Sequence, residues 1–339
     1  MKTALYTVTY SGNFYKGDAL PLEEIFPRAA EMGFEGVEIG AKRPVASPLD
    51  LTQARRTAIR RLSDQHELPI GCIGGYSNLA SPVTEHREAE LIFLRETIRL
   101  AHDVGAPVVR VFAAWPGVTM RNGQAYYELA KSYVWHDVTW FEQWEWAREA
   151  LAEASRWGQE YGVVLALQNH RPVTNTYRDV LDMVSEIDSP NLKACIDAPH
   201  LADQTDAGVR KALLETGGLQ AWSHFGGYEQ TEADRVLEHT GEAVIAVNYP
   251  AFFRALHEIN YAGFVAYEGC GPALVGHRYQ GVDEVDRRVR LALAYMKRQI
   301  AAAKAAVGSQ RSPQRPRAPS RALGDQHGQE DDRAKGRIG

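Results

Sequence analysis

The chain has 339 residues, of which 45% are hydrophobic and 24% charged, with a formal net charge of -5. That composition suits a globular protein with a large core, and the acidic balance argues against nucleic acid as the main partner. No apolar run approaches the roughly 18 residues of a membrane span, and the opening MKTALYTVTYSGNF is too polar for a signal peptide.

Cys72, Cys195 and Cys270 lie in or beside apolar runs with no CxxC spacing. That is the pattern of reduced, packed thiols, and a cytoplasmic protein is expected.

Leu5 to Tyr10 alternates around β-branched and aromatic residues and ends in Ser-Gly, which predicts a first strand. PLEEIFPRAAEMG follows, with Leu22, Ile25, Phe26, Ala29 and Met32 at helical spacing and Gly33 at the stop. Pro27 conflicts with this helix and predicts a kink. FEGVEIG is the second strand, ending near Glu38. Residues 51–66 read as a helix, LPIGCIGG as the third strand, and residues 86–104 as a long helix. PVVRVFAAW is the fourth strand. Residues 116–138 mix Gly, Pro, Tyr and Trp with no winning period. An insertion there is either a lid or substrate wall, or a surface loop or subunit contact. A helix at 140–161 leads to the fifth strand (163–170), a helix (177–187), the sixth strand (192–200) and a short helix (209–216). The seventh strand (219–228), the helix NYPAFFRALHEIN, the eighth strand GFVAYEGCG and a last helix (283–304) complete the series.

Eight strand-then-helix units place the chain in the α/β class. They favour a single closed (β/α)8 TIM barrel over an open doubly wound sheet, which would want a GxGxxG or a P-loop. The barrel is expected over residues 1–304 as one catalytic domain, with an insertion after the fourth strand. Residues 305–339, rich in Pro, Arg, Ser and Gly, are expected to be a disordered tail.

In such a barrel the C-terminal strand ends share one mouth. Gln168, Asp197, His224 and Glu268 stand at the ends of the fifth to eighth strands. Two carboxylates, an imidazole and an amide oxygen make a mixed shell suited to Mn²⁺ or Mg²⁺, with Co²⁺ or Zn²⁺ as further candidates. A buried carboxylate needs a cation, and no Lys or Arg shares the strands of Asp197 and Glu268. His224 read alone is more often a hydrogen-bonded core histidine. His170 and His200 are candidates for the general base or for binding a sugar hydroxyl, and otherwise for orienting a ligand. Glu38 is expected to face the mouth or to pair with Lys42 or Arg43. Gly226-Gly227 is either a phosphate site or a tight turn.

At these residues the chain resembles the xylose isomerase-like barrel superfamily: sugar isomerases and epimerases, inosose dehydratases and endonuclease IV-type enzymes. The family pattern is Glu, Asp, His and Glu at the ends of strands five to eight. Asp197, His224 and Glu268 match it, and Asp197-x-x-His200 resembles the Asp-x-x-His of ketose 3-epimerases. Gln168 departs from it, standing where those epimerases carry a glutamate that is both ligand and base. An amide cannot take a proton near neutrality, though its carbonyl oxygen can still meet a metal. The departure therefore disfavours a two-carboxylate epimerase. It favours proton abstraction beside a carbonyl, with a metal-stabilised enolate and loss of a β-leaving group, His170 or His200 acting as base.

The opening LYTVTYSGNFYKGDALPLEEIF, with GFEGVEIGAKRP, is similar to the larger (alpha) subunit of bacterial C-glycoside deglycosidases. That similarity implies a lyase acting on 3-oxo-glycosides and a small β-subunit partner or a homo-oligomer. The alternatives are a sugar (phosphate) isomerase or epimerase, with Glu38 as a replacement carboxylate, and a non-catalytic sugar-binding or assembly subunit. An endonuclease IV-type activity would want a richer His/Glu cluster and a basic groove.

Overall fold

A computed structural model describes residues 1–121, 124–126, 137–226 and 247–310. Eight parallel strands close into a barrel: β1 (Lys2–Tyr6), β2 (Gly36–Gly40), β3 (Ile70–Gly74), β4 (Val108–Val111), β5 (Val164–Gln168), β6 (Leu192–Cys195), β7 (Gln220–Gly226) and β8 (Phe264–Glu268). Neighbours in space are neighbours in sequence, and β1 pairs with β8 to close the ring. One helix follows each strand: α1 (Leu22–Met32), α2 (Gln53–Gln65), α3 (Thr84–Val104), α4 (Trp140–Tyr161), α5 (Tyr177–Ile187), α6 (Asp206–Thr216), α7 (Tyr249–Glu258) and α8 (Val282–Gln310). The chain is a (β/α)8 TIM barrel. Among the described residues no helix is long and apolar enough to cross a membrane.

The helix ends follow local chemistry. Thr139 and Thr176 each accept from the backbone three residues on, while Glu142 and Asp179 reach back, which makes two reciprocal caps. Gly33, Gly105 and Gly162 take left-handed conformations that close α1, α3 and α4. The helix α1 runs through Pro27 instead of ending there. The first strand stops at Tyr6, four residues short of the expectation, and Thr7–Tyr10 turns into a 3-10 segment. The sixth strand stops at Cys195, and Ala198–His200, containing Pro199, forms another such turn. Proline has no N–H to continue the ladder.

The apolar core has two layers. The larger lies between strands and helices and includes Leu165, Leu167, Ile196, Phe225 and Val265. The smaller plugs the barrel interior with Ala4, Tyr6, Cys72, Ala166, Cys195, Trp222 and Ala266. Alternation along each strand explains the split: Ala166 points in where Leu165 and Leu167 point out. Residues at two-residue steps above this plug, Gln168, Asp197, His224 and Glu268, continue the inward face toward the mouth. Trp222 fills the barrel so tightly that a methyl on Gly71 would lie 2.8 Å from its ring.

Of the insertion after β4, Thr119–Arg121 and Gln124–Tyr126 form an antiparallel pair. Residues 127–136, and the expected tail from residue 311, lie outside the described residues. The helix α8 itself reaches Gln310, six residues beyond the expected domain end at residue 304.

Candidate active site

Gln168 closes β5 and is buried, with 3% of its surface exposed. Its Nε2 donates to Asp197 Oδ2, and its Oε1 has no hydrogen-bond partner. Asp197 follows β6 and is held from several sides. Its Oδ1 accepts from the His224 backbone N–H at 2.7 Å and from Ser223 Oγ at 3.3 Å. Its own N–H donates to Asn169 Oδ1 at 2.9 Å.

His224, on β7, bridges two carboxylates. Its Nδ1 lies 2.9 Å from Asp197 Oδ2 and its Nε2 lies 2.9 Å from Glu38 Oε2. Burial alone would strip the proton from this imidazole, but Glu38 and Asp197 outweigh it and hold the pKa well above its ordinary value. Burial would raise Asp197, but the His224 charge and hydrogen bonds hold that carboxyl below the usual carboxylate range.

Glu38 points into the barrel, against His224. It is fully buried, accepts from Trp222 Nε1 at 2.7 Å, and pairs with His224. It does not pair with Arg43, which reaches Asp50, or with Lys42, which lies over the Tyr76 ring. The ladder explains the difference: β2 sends alternate residues into the barrel, and Glu38 falls on that inner face. Arg110 of β4, also inward, brings Nε to 3.9 Å from Glu38 Oε1. Its NH2 group donates to Tyr6 Oη at 2.8 Å, and the Tyr6 and Tyr76 hydroxyls share a 2.5 Å hydrogen bond. The counter-ions of the buried carboxylates thus come from His224 and from a different strand.

Glu268 is half-buried at the end of β8. In the ladder Ala266 stands opposite His224 and Glu268 opposite Gly226, two residues further along β8, and Glu268 still lies near enough for His224 and Asp197 to act on its charge. Burial holds its carboxyl above the usual range, against the pull of His224 and Arg110. A methyl on Gly226 would meet the Glu268 carbonyl oxygen at 2.2 Å, so close strand approach accounts for that glycine. Gly227 lies outside the described residues.

His170 and His200 pack edge to face with ring centroids 4.8 Å apart. His170 also meets Phe112 at 5.0 Å and Trp115 at 4.7 Å, and its Nδ1 lies 2.7 Å from the Arg171 carbonyl oxygen. Desolvation, aided by His200, pushes its pKa down to about 3, so it is neutral near pH 7. His200, in the turn after β6, is exposed as a residue although its ring packs on His170. Desolvation of its ring still lowers its pKa, and Asp197 opposes the shift.

The structure therefore brings Gln168, Asp197 and His224 into direct contact and sets Glu268, His170 and His200 around the opening above them. A compact donor group forms from Asp197, His224 and Cys195, whose ligating atoms all lie within 4.8 Å of one another. This set, with the unsatisfied Gln168 Oε1, fits a divalent cation: a buried acceptor without a donor is costly unless a cation meets it. Sequence reasoning passed over Cys195 as a core filler, and also Arg110, Tyr6 and Trp222. A charged residue inside the four-residue strand Val108–Val111 was the readable sign of Arg110.

A family profile described as "Xylose isomerase-like TIM barrel" matches residues 26–299. Fructoselysine 3-epimerase of Shigella flexneri is 26% identical over 214 residues, 59% of this chain and 68% of that protein. Among solved structures, L-ribulose 3-epimerase superposes with a TM-score of 0.67 at 20% identity, covering 93% of this chain and 99% of that one. A 3-keto-D-glucoside 4-epimerase from E. coli, in its apo form, gives 0.62 at 20% identity, covering 88% and 99%. The structural likenesses bear on the fold. None of them shows the closeness to deglycosidases suggested by the opening segment.

Proposed function

The chain belongs to the xylose isomerase-like TIM barrel family, and from that membership we propose a divalent-metal-dependent enzyme that removes a proton beside a sugar carbonyl. Its reaction class is that of a sugar epimerase or isomerase, as in the 26%-identical fructoselysine 3-epimerase. The catalytic domain in this reading is the barrel over residues 1–304.

The observation that carries the proposal is the placement of proton carriers around one donor group. Gln168, Asp197 and His224 would hold the ion, with Glu268 beside them at the end of the next strand as a proton carrier. When bound, such an ion supplies Lewis-acid stabilisation of negative charge on the substrate oxygen. Glu268, whose carboxyl burial shifts upward, would be a proton carrier. Epimerisation needs a second carrier on the opposite face, and Gln168 cannot be one. His200 suits that task better than His170, because it is exposed as a residue while His170 is held neutral and stacked. His170 then serves as a hydrogen-bonding wall for sugar hydroxyls. Glu38 is too deep to touch substrate.

The amide at Gln168 also favours a second reading. A site with one strong carrier suits elimination from a 3-oxo-glycoside, in which a single base removes the proton and the aglycone departs. That reading brings with it a small β-subunit partner.

The test is nuclear magnetic resonance in deuterated water. Metal-loaded protein is offered ketoses, fructoselysine and 3-oxo-glycosides. Deuterium entering beside the ketone, with a new epimer or isomer, supports the first reading. Aglycone release without an epimer supports the second. A metal-replete protein that exchanges no such proton would remove both.

A further inference from the structure

We propose that Cys195 is a ligand of the bound ion, which makes the site a sulfur-containing one with a preference for Zn²⁺ or Co²⁺ over Mn²⁺ or Mg²⁺. The inference rests on the metal site proposed above and concerns which atoms complete it.

The geometry comes from the end of β6. Cys195 and Asp197 are two residues apart and share the inward face. Cys195 Sγ lies 3.7 Å from Asp197 Oδ1 and 3.8 Å from His224 Nδ1. A tetrahedral site with a metal–sulfur bond of ~2.3 Å and metal–nitrogen or –oxygen bonds of ~2.0 Å has ligand-to-ligand edges of ~3.3–3.6 Å. The three side chains are thus within a few tenths of an ångström of enclosing an ion. Glu268 is not part of this group. A second, independent observation points the same way. Gln168, 3% exposed, presents an Oε1 that nothing in the protein satisfies. Its amide now offers Nε2 to Asp197. Turned over, it would offer the oxygen to an ion at the same place.

Sulfur changes the selectivity of the set. Oxygen-only shells suit Mn²⁺ and Mg²⁺, whereas a thiolate with an imidazole suits Zn²⁺ and Co²⁺. Binding displaces the thiol proton of Cys195 and the Nδ1 proton of His224 to solvent, leaving His224 Nε2–H donating to Glu38. Cys72 lies in the same barrel plug but outside the donor group, so it serves as an internal control.

Cobalt substitution separates this inference from the reading beneath it. Full-length protein loaded with Co²⁺ should show visible ligand-field bands and a near-ultraviolet sulfur-to-cobalt charge-transfer band. Cys195→Ser should lose the charge-transfer band and keep the visible bands, and Cys72→Ser should keep both. Visible bands without the charge-transfer band, or a band that survives Cys195→Ser, would overturn the role of Cys195 and leave the metal site standing. Failure of the wild-type protein to bind Co²⁺ would overturn both. X-ray absorption on the zinc-loaded wild-type protein needs no variant. One sulfur at ~2.3 Å is expected, and a shell of nitrogen and oxygen alone would refute the proposal.

Discussion

Strands β5–β8 and strands β1–β4 both send polar side chains into the barrel, but of different kinds. The later half contributes Gln168, Asp197, His224 and Glu268, groups that end in or near the open mouth. The earlier half contributes Tyr6, Glu38 and Arg110, all fully buried and engaged below it. The two meet at Glu38 Oε2, which takes His224 Nε2 at 2.9 Å and Trp222 Nε1 at 2.7 Å. Buried charges persist when paired and hydrogen-bonded; the earlier half is paired in this way, although Glu38 Oε1 and Arg110 Nε, 3.9 Å apart, form no hydrogen bond. In the later half Gln168 Oε1 goes unmet as well, and Glu268 is held above its usual pKa. Unsatisfied and perturbed groups gather where chemistry is done. In the proposed reading the early strands brace, and the late strands react.

Asp197→Ala should break that arrangement most severely. It removes a donor and strips His224 and Gln168 of their shared partner. Metal content by elemental analysis should fall from about one ion per chain to near none. Activity should fall at least about a thousandfold, the scale of losing oxyanion stabilisation. Full metal content in this variant would move the ion away from the late strands altogether.

Glu268→Gln sharpens the division within the late half. It keeps the shape and removes the proton carrier. Deuterium exchange at the substrate carbon should slow by about 10²–10⁴-fold, the usual weight of general acid–base catalysis. Metal content should be unchanged, and its loss would make Glu268 a ligand instead.

The late half was legible in the sequence, and the early half was not. Apolar runs ending in Gln168, Asp197, His224 and Glu268 mark four successive strand ends, and it is their shared register that points to one candidate site. The eight alternating units announce the barrel. Glu38 reads equally well as a mouth residue or a surface ion pair, since its partners Trp222 and His224 are more than 180 residues away. Such pairings depend on barrel closure, which periodicity does not encode. Cys195 was hidden for a related reason. A cysteine in an apolar run reads as packing until His224 arrives beside it from another strand.

Glu38→Gln tests the contact between the halves. The amide retains the shape and loses the charge that orients the imidazole. Partners of this kind are worth about 10–100-fold in metal affinity, which a competition titration against a chelator reads. Arg110 also loses its nearest carboxylate, so the urea midpoint should fall too. An unchanged metal affinity would mean that the two halves merely touch.

Tyr76→Phe is the mildest probe, and it isolates bracing from chemistry. It deletes one end of the 2.5 Å hydrogen bond to Tyr6. Tyr6 Oη still accepts from Arg110, so the charge network keeps its main link. One lost hydrogen bond between partly buried hydroxyls should cost about 0.5–1.5 kcal/mol in urea unfolding. Metal affinity and the exchange rate should stay within about a factor of two, because no donor at the mouth has moved. A large loss of metal affinity here, without a larger loss of stability, would show that the early strands set the donor geometry through the tyrosine pair. The bracing half would then extend into the reacting one.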